Sequence, residues 1–230
     1  MMKLILFDID GTLISVRRAT TRAVIRDVVF RGLDRDKDLP DLELHGKTDR
    51  QIMRELCAAA GCDGDGLADR IALMESILLE NWEWHLSAET VDLLPGVLDL
   101  LERLALRDDV RLALLTGNLE PAARMKLAPH DLNRFFPIGS FGSDAAVRDE
   151  LPPIVLERAR RHWGDAFDYG DTMIVGDSHR DISCARAWGI RSLAVATGVL
   201  SAAELSDHLP DDLCESLLEE DVIDQFIQGN

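Results

Sequence analysis

Cysteine is scarce in this chain and carries no pattern. Its four thiols, Cys57, Cys62, Cys184 and Cys214, form neither a CxxC pair nor a cluster with histidine. That excludes a disulfide scaffold or a zinc module and fits free thiols in a reducing cytoplasm, the expected location. No stretch approaches the roughly 18 apolar residues of a membrane helix. Asp8 and Asp10 interrupt the apolar run after Phe7, so no signal-peptide pattern opens the sequence. Positive charge is short as well: 25 Lys and Arg stand against 42 Asp and Glu, a net charge of −17. Nucleic acids and anionic membranes recruit proteins through positive potential, so neither is an expected partner. An acidic chain that binds an anion has to supply positive charge locally, from a metal, a few basic side chains or helix N-termini. Lysine is the rarest source, with only Lys3, Lys37, Lys47 and Lys126. Internal repeats and low-complexity segments are absent too. What remains is an ordinary globular composition, 47% hydrophobic and 29% charged, long enough for one large domain or one domain with an insert.

The chain is organised around Phe7-Asp8-Ile9-Asp10-Gly11-Thr12-Leu13. Lys3 to Phe7 reads as a short strand buried in a parallel sheet, and it runs straight into two carboxylates at i and i+2. Alternation puts Asp8 and Asp10 on one side, and Gly11 permits a sharp exit. Two acids this close repel, so one is protonated or a cation sits between them.

Further along, residues 15–91 read as helices with no strand. One runs from Arg17 to Gly32, with Ala19, Ala23, Val24 and Val28 on its apolar side. A second starts at the capping-box pattern Thr48-Asp49-Arg50-Gln51, and a third spans Leu67 to Leu86. A charged loop, Asp34 to Asp41, lies between the first two. Trp82, Trp84 and His85 read as core of this insert. Strands then alternate with helices: Val110 to Leu115, Thr172 to Val175 and Arg191 to Thr197, with helices from Val97, Pro121, Pro152 and Asp181. A second capping box, Ser201 to Glu204, precedes a short strand and a final helix. This order predicts an α/β fold, a doubly wound Rossmann-like parallel sheet (1–14 and 92–230) with a helical cap domain (15–91) inserted after the first strand. Ligands of such sheets bind beyond the strand C-termini, where Asp8, Asp10, Thr116 and Asp177 all fall.

Asp8-Ile9-Asp10-Gly11-Thr12 resembles the first motif of the haloacid dehalogenase-like (HAD) hydrolases, a superfamily dominated by phosphatases. Thr116-Gly117-Asn118 resembles the second motif and Asp177 the fourth, in order and over nearly the whole chain. The insert resembles the family's four-helix-type C1 cap, as in the phosphoglycolate phosphatase-like members. The resemblance implies a Mg²⁺-dependent phosphohydrolase acting on a small phosphorylated metabolite. Asp8 would be the nucleophile and Asp10 the general acid and base. Asp8, Asp10 (through its backbone carbonyl) and Asp177 would hold the metal, with Asp181 behind them. Thr116, Gly117 and Asn118 would hold phosphoryl oxygens. The family's third motif usually carries a lysine some thirty residues past the second. Lys126 is too near Thr116 on the intervening helix, whereas Arg148 stands at the right distance to supply the charge. In the cap, Lys47 of His45-Gly46-Lys47-Thr48 is the candidate contact for a second anionic group. A phosphomutase of the β-phosphoglucomutase type would use the same residues, and a non-catalytic phosphate-binding relative is the reading the missing lysine would favour.

Overall fold

A computed structural model describes residues 2–34, 45–62, 64–219 and 221–229. The elements of the core are β1 (Lys3–Phe7), α4 (Val97–Ala105), β4 (Val110–Leu115), α5 (Glu120–Leu127), β5 (Gly139–Ser140), α6 (Leu151–Trp163), β6 (Thr172–Gly176), α7 (His179–Ala187), β7 (Arg191–Val195), α8 (Ala202–Ser206), β8 (Asp212–Cys214) and α9 (Asp221–Gln228). Between β1 and α4 come β2 (Ile14–Val16), α1 (Arg18–Leu33), α2 (Asp49–Ala59), α3 (Leu67–His85) and β3 (Val91–Leu93). Six strands form one parallel sheet in the order β5-β4-β1-β6-β7-β8.

β1 sits at its centre because every one of its residues is buried, from the stem of Lys3 to Phe7. Its side chains alternate between layers. Ile5 and Phe7 pack with residues of α4, α5 and α9 such as Leu101, Ala123 and Phe226. Leu4 and Leu6 face α6 and α7 through Val155, Leu156 and Ala185. The sheet is therefore wound on both faces. The chain steps outward through β4 and β5, then returns to the other side of β1 at β6. That reversal of strand order opens the crevice in which such sheets hold ligands.

The helices of the insert share an apolar cluster with the start of α5: Val24, Val28, Met53, Leu56, Met74, Ile77 and Trp82 pack with Leu119 and Ala122. Three helices of it fall among the described residues, and the expected charged loop lies outside them from residue 35 on. Thr48 caps α2, accepting the Gln51 N–H at 3.1 Å, while Trp84 is solvent-facing rather than core.

Three short strands depart from the sequence reading. β2 and β3 pair antiparallel, Ile14 with Leu93 and Val16 with Val91, so the stem of the insert is a ribbon and not helix. At two or three residues, β2, β3 and β5 are too short to carry a period-2 pattern; β8, equally short, was expected from its place between the capping box and the last helix. No helix among the described residues is long and apolar enough to cross a membrane, and the four cysteines are free thiols.

Candidate active site

The loop after β1 is held by its own backbone. The Gly11 N–H donates to the Ile14 carbonyl at 2.8 Å and the Leu13 N–H to the Ile9 carbonyl at 2.9 Å. Gly11 has φ +83°, and a Cβ there would collide with the Asp177 carboxylate. Glycine is thus required twice, for the turn and for the approach of an acid from β6.

Asp8 is buried at the end of β1, its N–H donating to the Val175 carbonyl at 3.0 Å. Its Oδ1 lies 3.2 Å from Nη2 of Arg148. Burial pushes the Asp8 carboxyl up; Arg148 pulls it down, and Asp181 and Asp10 add to the rise. Asp10 is in a different setting. Its Oδ2 accepts from Lys126 Nζ at 2.7 Å and from Asn118 Nδ2 at 2.7 Å, and its side chain is 42% exposed. Two acids two residues apart are therefore separated by their partners: one dry and facing an arginine, one wetter and held by a lysine and an amide.

Arg148, on the turn leading into α6, is buried. Its Nη2 donates to Asp181 Oδ1 at 2.5 Å and to the Leu115 carbonyl at 3.4 Å, and its Nη1 to the Gly46 carbonyl at 3.2 Å. Burial works against its charge, but Asp181 and Asp8 outweigh it and hold the guanidinium ionised. The structure thus brings Arg148 beside Asp8. Asp181 is the N3 residue of a capping box on α7. Its Oδ2 accepts the Ser178 N–H at 3.1 Å and the Ser178 hydroxyl at 2.5 Å. With both oxygens occupied, Asp181 orients Arg148.

Asp177 is 1% exposed, and neither of its carboxylate oxygens has a hydrogen-bond donor among the described residues. Burial and then the charges of Asp8 and Asp181 push its carboxyl well above the usual range. Ligand oxygens of Asp8, Asp177 and Asp181 lie within 4.8 Å of one another. An orphaned buried carboxylate beside a second one is the donor chemistry of a hard divalent cation, so these residues fit the metal that the family generally uses. The Asp10 side chain stands outside that trio.

Thr116 is fully buried at the end of β4, and its Oγ1 accepts from Asn118 Nδ2 at 2.9 Å. Asn118 was expected to offer its backbone N–H to phosphoryl oxygens. Its side chain is engaged by Thr116, Asp10 and Lys126, with Lys126 Nζ donating to Asn118 Oδ1 at 2.6 Å. Gly117 packs so tightly under the cap loop that a Cβ would strike the Lys47 carbonyl oxygen.

Lys126 is the main correction. Spacing set it aside, yet its ammonium sits in the site between Asp10 and Asn118, 4.9 Å from the centre of the Trp82 ring. Helical side chains slant toward the N-terminus of their helix, so a long lysine in the last turn of α5 reaches back over the strand end. His45 also escaped the sequence reading as a site residue, and its Nε2 is 3.3 Å from Asp177 Oδ2. Lys47 lines the cavity, but its Nζ is bound to Glu55 Oε2 at 2.6 Å.

The loop leading into α2 is pinned to the core. Thr48 Oγ1 donates to the Ala146 carbonyl at 2.6 Å, Arg50 Nη1 to the Ser143 carbonyl at 2.7 Å, and the Asp49 N–H to the Gly117 carbonyl at 2.8 Å. Asp49 Oδ2 in turn accepts the Leu119 N–H at 2.8 Å. Burial raises the Asp49 carboxyl from 3.8 to about 6, against the pull of Lys126. The folded protein therefore holds this proton more tightly than the unfolded chain. The stability gained is complete below about pH 3.8 and is lost as pH rises through about 6. Asp49→Asn keeps an acceptor for Leu119 without the charge. Because Asp49 is only part-buried, the expected gain near pH 7.5 is about 1–2 kcal/mol, less than the full shift implies. Urea unfolding at several pH values checks it: the variant's stability should be flatter than wild type between about pH 4 and 7.

The family model of the haloacid dehalogenase-like hydrolases matches residues 5–195, and the chain belongs to that family. Phosphoglycolate phosphatase 1 of Pseudomonas aeruginosa is 26% identical over 216 residues, covering 94% of this chain and 77% of its own. The phosphoglycolate phosphatase of Synechococcus elongatus is 27% identical over 218 residues, covering 94% and 93%. Among solved structures, a β-phosphoglucomutase from Clostridium difficile matches with a TM-score of 0.75 over 100% of this chain and 98% of its own, at 13% identity. That last likeness is one of fold.

Proposed function

We propose that the chain is a Mg²⁺-dependent phosphoric monoester hydrolase, acting on a small phosphorylated metabolite through an aspartyl phosphate on Asp8. The contrast between the two acids carries this reading: buried Asp8 faces Arg148, while half-exposed Asp10 is held by Lys126 and Asn118. Mg²⁺ held by Asp8 and Asp177 would offset the charge of the phosphoryl oxygens. Asp8 attacks phosphorus, the bond to the alcohol oxygen breaks, and Asp10 gives its proton to that oxygen. Asp10 then takes a proton from water, the water oxygen attacks phosphorus, and the bond to Asp8 breaks to release phosphate. Arg148 draws charge from the phosphoryl oxygens, and Thr116 Oγ1 with the Gly117 amide orients them. The phosphatase names of both sequence relatives support the hydrolytic outcome.

Phosphate release from a panel of phosphomonoesters, with Mg²⁺ and with chelator, tests the reading. Metal-dependent turnover is expected, and silence across the panel overturns it. Isomerisation of sugar phosphates in the same tubes separates a hydrolase from a mutase. Mg²⁺ at a hundredfold excess over its Kd should also stabilise the fold by about 2.7 kcal/mol. Asp177→Asn should abolish most of that shift in a thermal melt.

A further inference from the structure

The cavity over the site, about 390 Å³, has two unlike ends. The core end is charged, with Asp8, Asp10, Arg148 and Asp177. The cap end is walled by Ile25 and Val28 from α1, Met53 and Leu56 from α2, and Leu78 and Trp82 from α3. All of these except Ile25 also belong to the apolar cluster that the insert helices share with α5, so the wall is packed core and not a loose surface coat. The cations nearest to it are already committed. Lys47 is bound to Glu55, and Lys126 to Asp10 and Asn118. Asp49 adds an acid to the same cavity. Arg18, which is solvent-exposed, is the remaining lysine or arginine among the described residues that line the cavity from the cap side.

A carboxylate or a row of hydroxyls seated on such a wall would give up water and, apart from the Thr21 hydroxyl on α1, gain no side-chain partner from it. An apolar group would displace poorly held water and gain by doing so. We propose that the alcohol half of the substrate is a compact apolar group docked on the wall formed by α1, α2 and α3. The site then favours an apolar phosphomonoester over a phosphorylated acid or polyol. This rests on the phosphohydrolase reading for its chemistry, though the wall itself can be probed without turnover.

The test pairs two series. Methyl, ethyl, propyl and butyl phosphates are assayed for kcat/KM with Mg²⁺. The matching alkylphosphonates, which cannot be hydrolysed, are measured for affinity by calorimetry beside 3-phosphonopropionate, an unreactive stand-in for phosphoglycolate. Each added methylene should tighten binding and raise kcat/KM by about fourfold. Ile25→Asn in the wall and Ile52→Asn on α2, where Ile52 also lines the cavity, both at part-buried positions, should each lower the butyl-to-methyl ratio. A flat phosphonate series, or tighter binding of 3-phosphonopropionate than of propylphosphonate, overturns the inference even if phosphate is released. A rising phosphonate series with no release from any ester supports the apolar wall and overturns the hydrolase reading instead.

Discussion

Asp8→Asn should lose turnover by on the order of 10⁴–10⁶-fold, the scale seen when a covalent nucleophile is removed. An amide oxygen does not displace an alcohol from phosphorus, so no aspartyl phosphate forms. The same variant should keep or improve its thermal stability in chelator. Burial and the neighbouring acids push the Asp8 carboxyl up, so its charge is a burden on the metal-free fold, and an isosteric amide relieves it. Arg148 retains Asp181 as a partner. The two readouts together distinguish a reacting group from a structural one. Near-normal phosphate release by protein free of wild-type contamination would remove Asp8 from the nucleophile's role. A large drop in melting temperature would make the activity loss uninterpretable as chemistry.

Arg148→Ala should be the most damaging change at the site for folding. Removing one member of a buried charge cluster leaves the others unpaired, at a cost of about 3–5 kcal/mol. Here the abandoned groups are Asp8 and Asp181, with Asp177 close by. Arg148→Lys keeps the charge, but a single ammonium cannot also reach the Gly46 and Leu115 carbonyls that the guanidinium fork serves. It should recover part of the stability. Inhibition by inorganic phosphate in the lysine variant then reports ligand handling in a folded protein. Weakening by about 2 kcal/mol or more is expected if Arg148 contacts the phosphoryl group. Unchanged stability in the alanine variant together with unchanged phosphate inhibition in the lysine variant would reduce Arg148 to a bystander.

Much of this site was legible because chemistry and strand ends coincide in the sequence. Asp8, Asp10, Thr116 and Asp177 each follow a run of apolar residues, and that adjacency survives folding into a parallel sheet. Arg148 was found by its distance along the chain from Thr116. Lys126 was lost by the same reasoning, since distance along the chain ignores where a long side chain on a helix points. His45 and Asp49 were read as a loop and a helix start; their approach to Asp177 and Leu119 depends on how the cap loop lies on the core, which no local pattern encodes. Asn118 adds a contact that its place in a motif did not announce: its side chain bridges Asp10, Thr116 and Lys126. In the fold, long periodic elements and the short β8 were recovered, while β2, β3 and β5 were not.

The ribbon of β2 and β3 has a consequence for how the chain assembles. The central strand must wait for partners far downstream, because Lys3 pairs with Val110 and Leu4 with Thr172. Once the ribbon has closed, Val16 lies beside Val91, and the span between β1 and β4 shrinks from about a hundred residues to about thirty, a saving of about 1 kcal/mol in closure entropy. The insert thereby acts as a folding clamp. If it forms first, the strand that ends in the two aspartates is delivered to its neighbours as a local event, and weakening the ribbon should slow refolding by several-fold.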